Sequence, residues 1–164
     1  MVELRDGTWQ VAEAGLVTFT VERETLVLHD IEPAHGWNCN VVAEQADRLE
    51  VEFCLGRDVR ALQARYASGV LTVEIDSESG DARPGRYCVG DAGEVEIAID
   101  GGELRLIEVA TNPGWSMEVD EESEREIEVG FRRGALEWGF DAGLSRRGRL
   151  GIDVEMELTG PYPA

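Results

Sequence analysis

Residues Gly7 to Gly69 align without a gap onto Gly85 to Arg147 at a constant offset of 78, and 16 of the 63 pairs are identical, against about 5 expected by chance. Any fold open to this chain must therefore build one unit twice. The identities include Gly7/Gly85, Val11/Val89, Gly15/Gly93, Val17/Val95, Leu26/Leu104, Gly36/Gly114, Trp37/Trp115, Val41/Val119, Val51/Val129, Phe53/Phe131 and Gly56/Gly134. Turn glycines and apolar positions dominate, and these are the residues that architecture requires. A unit of about 78 residues is small for an independent core, so the sequence reads as two domains leaning on each other. The boundaries expected are residues 1–78, a polar linker at 79–84 rich in turn formers, and 85–164.

Within each unit the apolar period is two rather than 3.6. Val17, Phe19 and Val21 alternate with Thr18, Thr20 and Glu22, and Val95, Ile97 and Ile99 alternate with Glu96, Ala98 and Asp100. Such alternation marks half-buried strands. Seven short strands follow for the first unit, over 8–12, 16–22, 25–31, 37–44, 48–55, 59–66 and 70–76, with a second set shifted by 78 and one inserted residue near Arg147. Asp100-Gly101-Gly102 supplies the positive φ that a tight hairpin needs, whereas the matching Glu22-Arg23-Glu24 offers poorer turn chemistry. Prolines in Glu32-Pro33-Ala34-His35-Gly36 and near Pro113 cannot donate to a ladder, so this connection is expected to carry the chain between sheets. With a loop at residues 45–47, Ala43 would face Leu49, Val41 would face Val51 and Cys39 would face Phe53, which puts Cys39 in the core. The fold class expected is all-β: a tandem pair of small antiparallel β-sandwich domains, immunoglobulin-like in size, arising from an internal duplication.

Charge narrows the partners. The net charge of -19 divides into -9 for residues 1–78 and -10 for 79–164, so neither half is an acidic tail. Such a surface repels phosphates and anionic lipid, which argues against direct nucleic-acid binding and against membrane insertion. All 15 basic residues are Arg, a bias that fits a GC-rich or salt-adapted genome or, alternatively, escape from lysine-directed modification. No apolar run is long enough to span a bilayer, and Met1 to Gln10 shows no basic-then-apolar leader. The expectation is a cytoplasmic protein, or a secreted one if a leader has been removed. Cys39, Cys54 and Cys88 have no cysteine counterparts in the other unit, so free thiols are expected rather than a copied disulfide framework.

Residues shared by both units, such as Gly36-Trp37 and Gly114-Trp115, are most simply scaffold. Chemistry is to be sought where the copies differ. The spacing of His29, His35 and Cys39 can converge on zinc, but it needs a fourth donor, and two ordinary histidines on strand and loop explain it better. Seven acids between Glu118 and Glu128, with Glu118, Asp120, Glu121 and Glu122 at their head, could hold calcium or form a solvated hairpin tip; no EF-hand spacing is present. Trp138, which replaces Arg60, together with Arg146, Arg147 and Arg149, marks an interaction surface, and a meander places that Arg turn at the same end of its sheet as the acidic tip. Neither a nucleophile elbow, nor a phosphate loop, nor a dinucleotide glycine motif occurs, and no cofactor is implied. The function expected is a non-enzymatic binding or assembly module for a protein partner or a second copy. Alternatives are an acidic nucleic-acid mimic that inhibits a basic protein, and a calcium-binding β module.

Overall fold

The computed structural model describes residues 3–5 and 7–161. All regular structure among them is β-strand, and the pairings are antiparallel. Among the described residues no helix is long and apolar enough to cross a membrane. Two compact units emerge, residues 1–77 with 157–164, and residues 78–156.

In the first unit β1 (Glu3–Arg5), β2 (Thr8–Val11), β3 (Gly15–Glu22) and β4 (Thr25–Pro33) form one sheet in the order β1-β2-β3-β4. The chain then crosses to β5 (Asn38–Glu44), β6 (Arg48–Leu55), β7 (Asp58–Ala67) and β8 (Val70–Ala82), paired in that order with β5 at the edge. The expected change of sheet at Pro33 to Gly36 is present; Ala34 N donates to Ala14 O (2.7 Å) and Trp37 N to Ala34 O (3.0 Å). Strands over residues 8–67 start and stop within two residues of the expected spans. Alternation sends Val11, Val17, Phe19 and Val21 from one sheet, and Leu49, Val51, Phe53, Leu62 and Ala64 from the other, into a core in which each is at most 6% exposed. Trp9 stacks on Phe19 with centroids 6.0 Å apart. Large aromatics anchor a small core because each buries so much area.

The second unit has β9 (Gly85–Val89), β10 (Gly93–Asp100) and β11 (Glu103–Thr111) in the order β11-β10-β9. Its other strands are β12 (Ser116–Glu122), β13 (Glu126–Arg133), β14 (Leu136–Leu144) and β15 (Leu150–Pro161), again paired consecutively, with β12 at the edge. Val89, Val95, Ile97, Leu104, Ile127, Val129, Phe131 and Phe140 are buried.

The offset of 78 recurs in backbone irregularities. The β3/β4 ladder skips His29, and the β10/β11 ladder skips Ile107. Likewise β5/β6 skips Val42, and β12/β13 skips Asp120. The β3–β4 and β10–β11 hairpin turns, equivalent in the two units, carry positive φ at both positions, 61° and 81° at Gly101-Gly102 but 52° and 61° at Arg23-Glu24, where side chains occupy the left-handed region.

Three expectations need correction. Val41 does face Val51 and Cys39 does face Phe53, but the bulge at Val42 then sets Ala43 opposite Glu50 and Glu44 opposite Leu49. Cys39 is exposed, not buried, because it shares a face with Phe53 at an edge that no described residue covers. The stretch 79–84, expected as a linker, is strand as far as Ala82, since β8 runs on to that residue; a strand is held by backbone partners and need not carry apolar residues. The end of β15 also groups with the first unit, where Thr159 Oγ1 donates to Thr72 Oγ1 at 3.3 Å. In the tail from Thr159 to Ala164, where Pro161 and Pro163 are expected to end the last strand, β15 runs to Pro161, and residues 162–164 lie outside the described residues.

Candidate functional site

Edge strands β5 and β12 carry the clearest departure from ordinary burial. Directly opposite residues of an antiparallel pair share a sheet face, so Val41, Met117 and Val119 lie on the same faces as Val51, Phe131 and Val129. Those partners are at most 1% exposed, yet Val41 is 39% exposed, Met117 40% and Val119 39%; Val42, in the bulge, reaches 49%. Inner faces thus extend past their cover at equivalent places in both units. The adjacent pair Val41-Val42, which breaks strict alternation, is the sequence signal that could have revealed this edge.

Beside β5 and β12 each unit holds an arginine between an indole and a carboxylate. In the first, Arg60 Nε lies 2.5 Å from Glu13 Oε1, and its Cζ is 5.5 Å from the Trp37 ring centroid. In the second, Arg133 Nη2 lies 3.8 Å from Asp91 Oδ2, with its Cζ 4.6 Å from the Trp115 centroid. Trp37 and Trp115 are equivalent, as are Glu13 and Asp91, but the cations are not. Arg60 comes from β7; its counterpart on β14 is Trp138, and the duty falls to Arg133 on β13. The stacked guanidiniums cover indole faces that would otherwise meet solvent. Trp115 is accordingly scaffold, at 8% exposure.

Trp138, expected at an interaction surface, is 9% exposed and lies over Gly90, so most of its ring is already covered. Arg146, Arg147 and Arg149 occupy the exposed β14–β15 turn, closed by Gly148 N to Ser145 O (3.0 Å). The turn does stand at the same end of the sheet as the acidic β12–β13 tip: Arg125 Nη1 donates to Ser145 O (2.9 Å), and Leu144 N donates to Arg125 O (2.8 Å).

His29 bonds Thr20 Oγ1 through Nε2 at 2.7 Å and lies 3.8 Å from Glu22, while His35 is exposed in the connecting turn. Glu118, Asp120, Glu121 and Glu122 are all exposed along β12. The bulge at Asp120 sets Glu121 opposite Glu128, which itself pairs with Asp141. Glu126, Glu128 and Asp141 bring carboxylate oxygens within 4.8 Å of one another. A hydrogen bond with Glu126, aided by burial and by repulsion from Asp141, Glu126 and Asp120, pushes the Glu128 carboxyl up to about 7. Burial first, then Glu126, raises Asp141.

A carboxyl whose native pKa is raised favours the folded state at low pH; that advantage fades as pH rises from the unfolded value, about 4.5, through about 7. Glu128→Gln is therefore expected to leave the melting temperature unchanged at pH 4 and to raise it by a few degrees at pH 8. Equal melting of the two proteins at pH 8, followed by circular dichroism, would show that these carboxylates do not repel.

Comparison with known proteins finds no matching family model, no matching curated protein and no matching solved structure.

Proposed function

We propose that this protein is a non-enzymatic binding module made of two duplicated antiparallel β-sandwiches, and that its β5 and β12 edges engage a protein partner. The observation that carries this reading is the exposure of Val41, Met117 and Val119 on faces whose neighbouring strand is buried. A partner strand or loop laid along such an edge gains main-chain hydrogen bonds together with apolar cover. Repetition of both bulges at the offset of 78 supports the duplication, and Phe53 and Phe131 rings packed under Gly15 and Gly93 support two-layer cores. The two edges are not alike. β12 presents Glu118, Asp120, Glu121 and Glu122, while β5 presents only Glu44. Charges of one sign along an edge oppose pairing with another acidic strand.

The test is a Val41→Glu/Val119→Glu variant. Both side chains are exposed, so melting should shift little, while retention of the partner from a native extract should fall about tenfold, which corresponds to about 1.4 kcal/mol. Undiminished retention by a well-folded variant would exclude these edges.

A further inference from the structure

An open groove of about 430 Å³ runs between β11 and the β12–β13 tip, with Leu104, Leu106 and Ile107 along its floor and Glu103, Glu122 and Glu124 at its rim. Leu104 N donates to Glu124 O (2.8 Å) and joins the two walls. Ile107 is the residue that the β10/β11 ladder skips, and it stands 55% exposed. Beyond Leu104, whose N–H is taken by Glu124 O, the outer side of β11 pairs with no strand of its sheet. Among the described residues neither Glu122 nor Glu124 has an ion pair. Arg105 is held by Asp100 (3.6 Å) and Glu103 (3.9 Å), and Arg125 reaches away to Ser145 O.

The first unit repeats the frame without the chemistry. Leu26 N donates to Ala46 O (2.8 Å), the equivalent of the Leu104 bond. Yet Thr25, Glu44 and Ala46 stand where the groove has Glu103, Glu122 and Glu124, and the bulge residue is His29 instead of Ile107. Three rim acids become one, and the apolar floor residue becomes polar. Arg105 and Ser123, which also line the groove, become Val27 and Gln45.

We propose that this groove of the second unit binds an extended segment of a partner protein with alternating basic and apolar side chains. Its cations meet Glu103, Glu122 and Glu124, an apolar side chain covers Ile107, and its backbone pairs with the free side of β11. Period-two alternation is what a strand lying on a groove floor with a charged rim requires. Attraction between the acidic rim and a basic strand also selects against acidic competitors. The inference rests on the reading of the chain as a binding module and names a partner chemistry and a surface separate from β5 and the apolar face of β12.

The probe is a fluorescently tagged peptide of alternating lysine and valine, followed by anisotropy against the full chain. Saturable binding is expected, weakened about tenfold by Glu103→Gln/Glu122→Gln/Glu124→Gln and by Ile107→Ser. The same number of neutralisations in the first unit, Glu44→Gln/Glu50→Gln/Glu52→Gln, should change affinity less than about twofold. Equal loss from both triple variants, or spermine competing as well as the untagged peptide, would reduce the effect to net charge and overturn the proposal. Failure of the peptide to bind while Val41→Glu/Val119→Glu still abolishes partner retention removes the groove alone; failure of both removes the binding-module reading.

Discussion

A Gly93→Ala variant is expected to melt about 15 °C below the native protein in the transition that reports the second unit, from a loss of about 3 kcal/mol. Gly93 opens β10, and a Cβ there would lie 2.1 Å from the Ala110 carbonyl oxygen and 3.0 Å from Phe131 Cε1. Neither obstacle can swing away. The first is backbone of the paired strand, and the second belongs to a ring that is 1% exposed. Gly15 repeats the arrangement, with Glu32 O at 2.5 Å and Phe53 Cε1 at 2.8 Å, so Gly15→Ala should act alike on the first unit. Gly139→Ala is the control: a Cβ on that β14 glycine meets nothing within 4 Å, and the change should be neutral or slightly stabilising. Thermal melting by calorimetry decides the matter. A Gly93→Ala protein melting with the Gly139→Ala control would mean that the strand and the ring do not approach as described.

These glycines show which parts of the fold could be read from the sequence. Gly15/Gly93 were visible as identities, and alternation around Val17 and Val95 placed the strands that follow them. Alternation reports burial directly, so the strands between residues 8 and 67 were legible almost to the residue. Bulges were not. Deleting one partner from a ladder leaves composition untouched, so Val42 and Asp120 shifted the register beyond Val41 and Val119 without any local sign except the Val41-Val42 doublet. Cys39 illustrates a different limit. Its cross-strand partner follows from the alternation, but burial depends on what lies above the face, and the sequence of a strand does not say where its cover ends. The polar residues of β8 beyond Ser77 hid a strand because main-chain pairing, unlike core packing, leaves little trace in side-chain type.

Candidate sites were legible to the extent that they lay within one local segment. The acidic tip and the Arg146 to Arg149 turn meet at one end of the sheet because the meander brings neighbouring hairpins together. The groove leaves no local mark in the sequence because its walls, residues 103–107 and 122–124, are separate segments joined by the Leu104 to Glu124 hydrogen bond. The role of Arg133 is hidden in the sequence for a sharper reason. Comparison of the copies position by position sets Arg60 against Trp138, so it registers a lost arginine and misses the substitute that reaches Trp115 from another strand.

That exchange leads to the second large effect, a loss of about 3 kcal/mol expected for Gly90→Ala. Gly90 has φ 54°, and its first-unit counterpart Ala12 tolerates nearly the same value, 51°. Backbone strain alone therefore does not require glycine here. The neighbour above it does. A Cβ at Gly90 would lie 2.3 Å from Trp138 Cζ2 and 2.4 Å from Cε2, within a ring that is only 9% exposed. In the first unit the equivalent of Trp138 is Arg60, a slimmer and more flexible side chain, and alanine is accommodated. Tryptophan with glycine and arginine with alanine are two packings of one site, each internally consistent. It follows that Trp138→Arg should recover more than half of what Gly90→Ala loses, although Trp138→Arg alone is itself destabilising because a buried ring is removed. Urea unfolding of the two single variants and the double variant measures the coupling directly. Strict additivity of the two losses would show that Gly90 and Trp138 do not share this space.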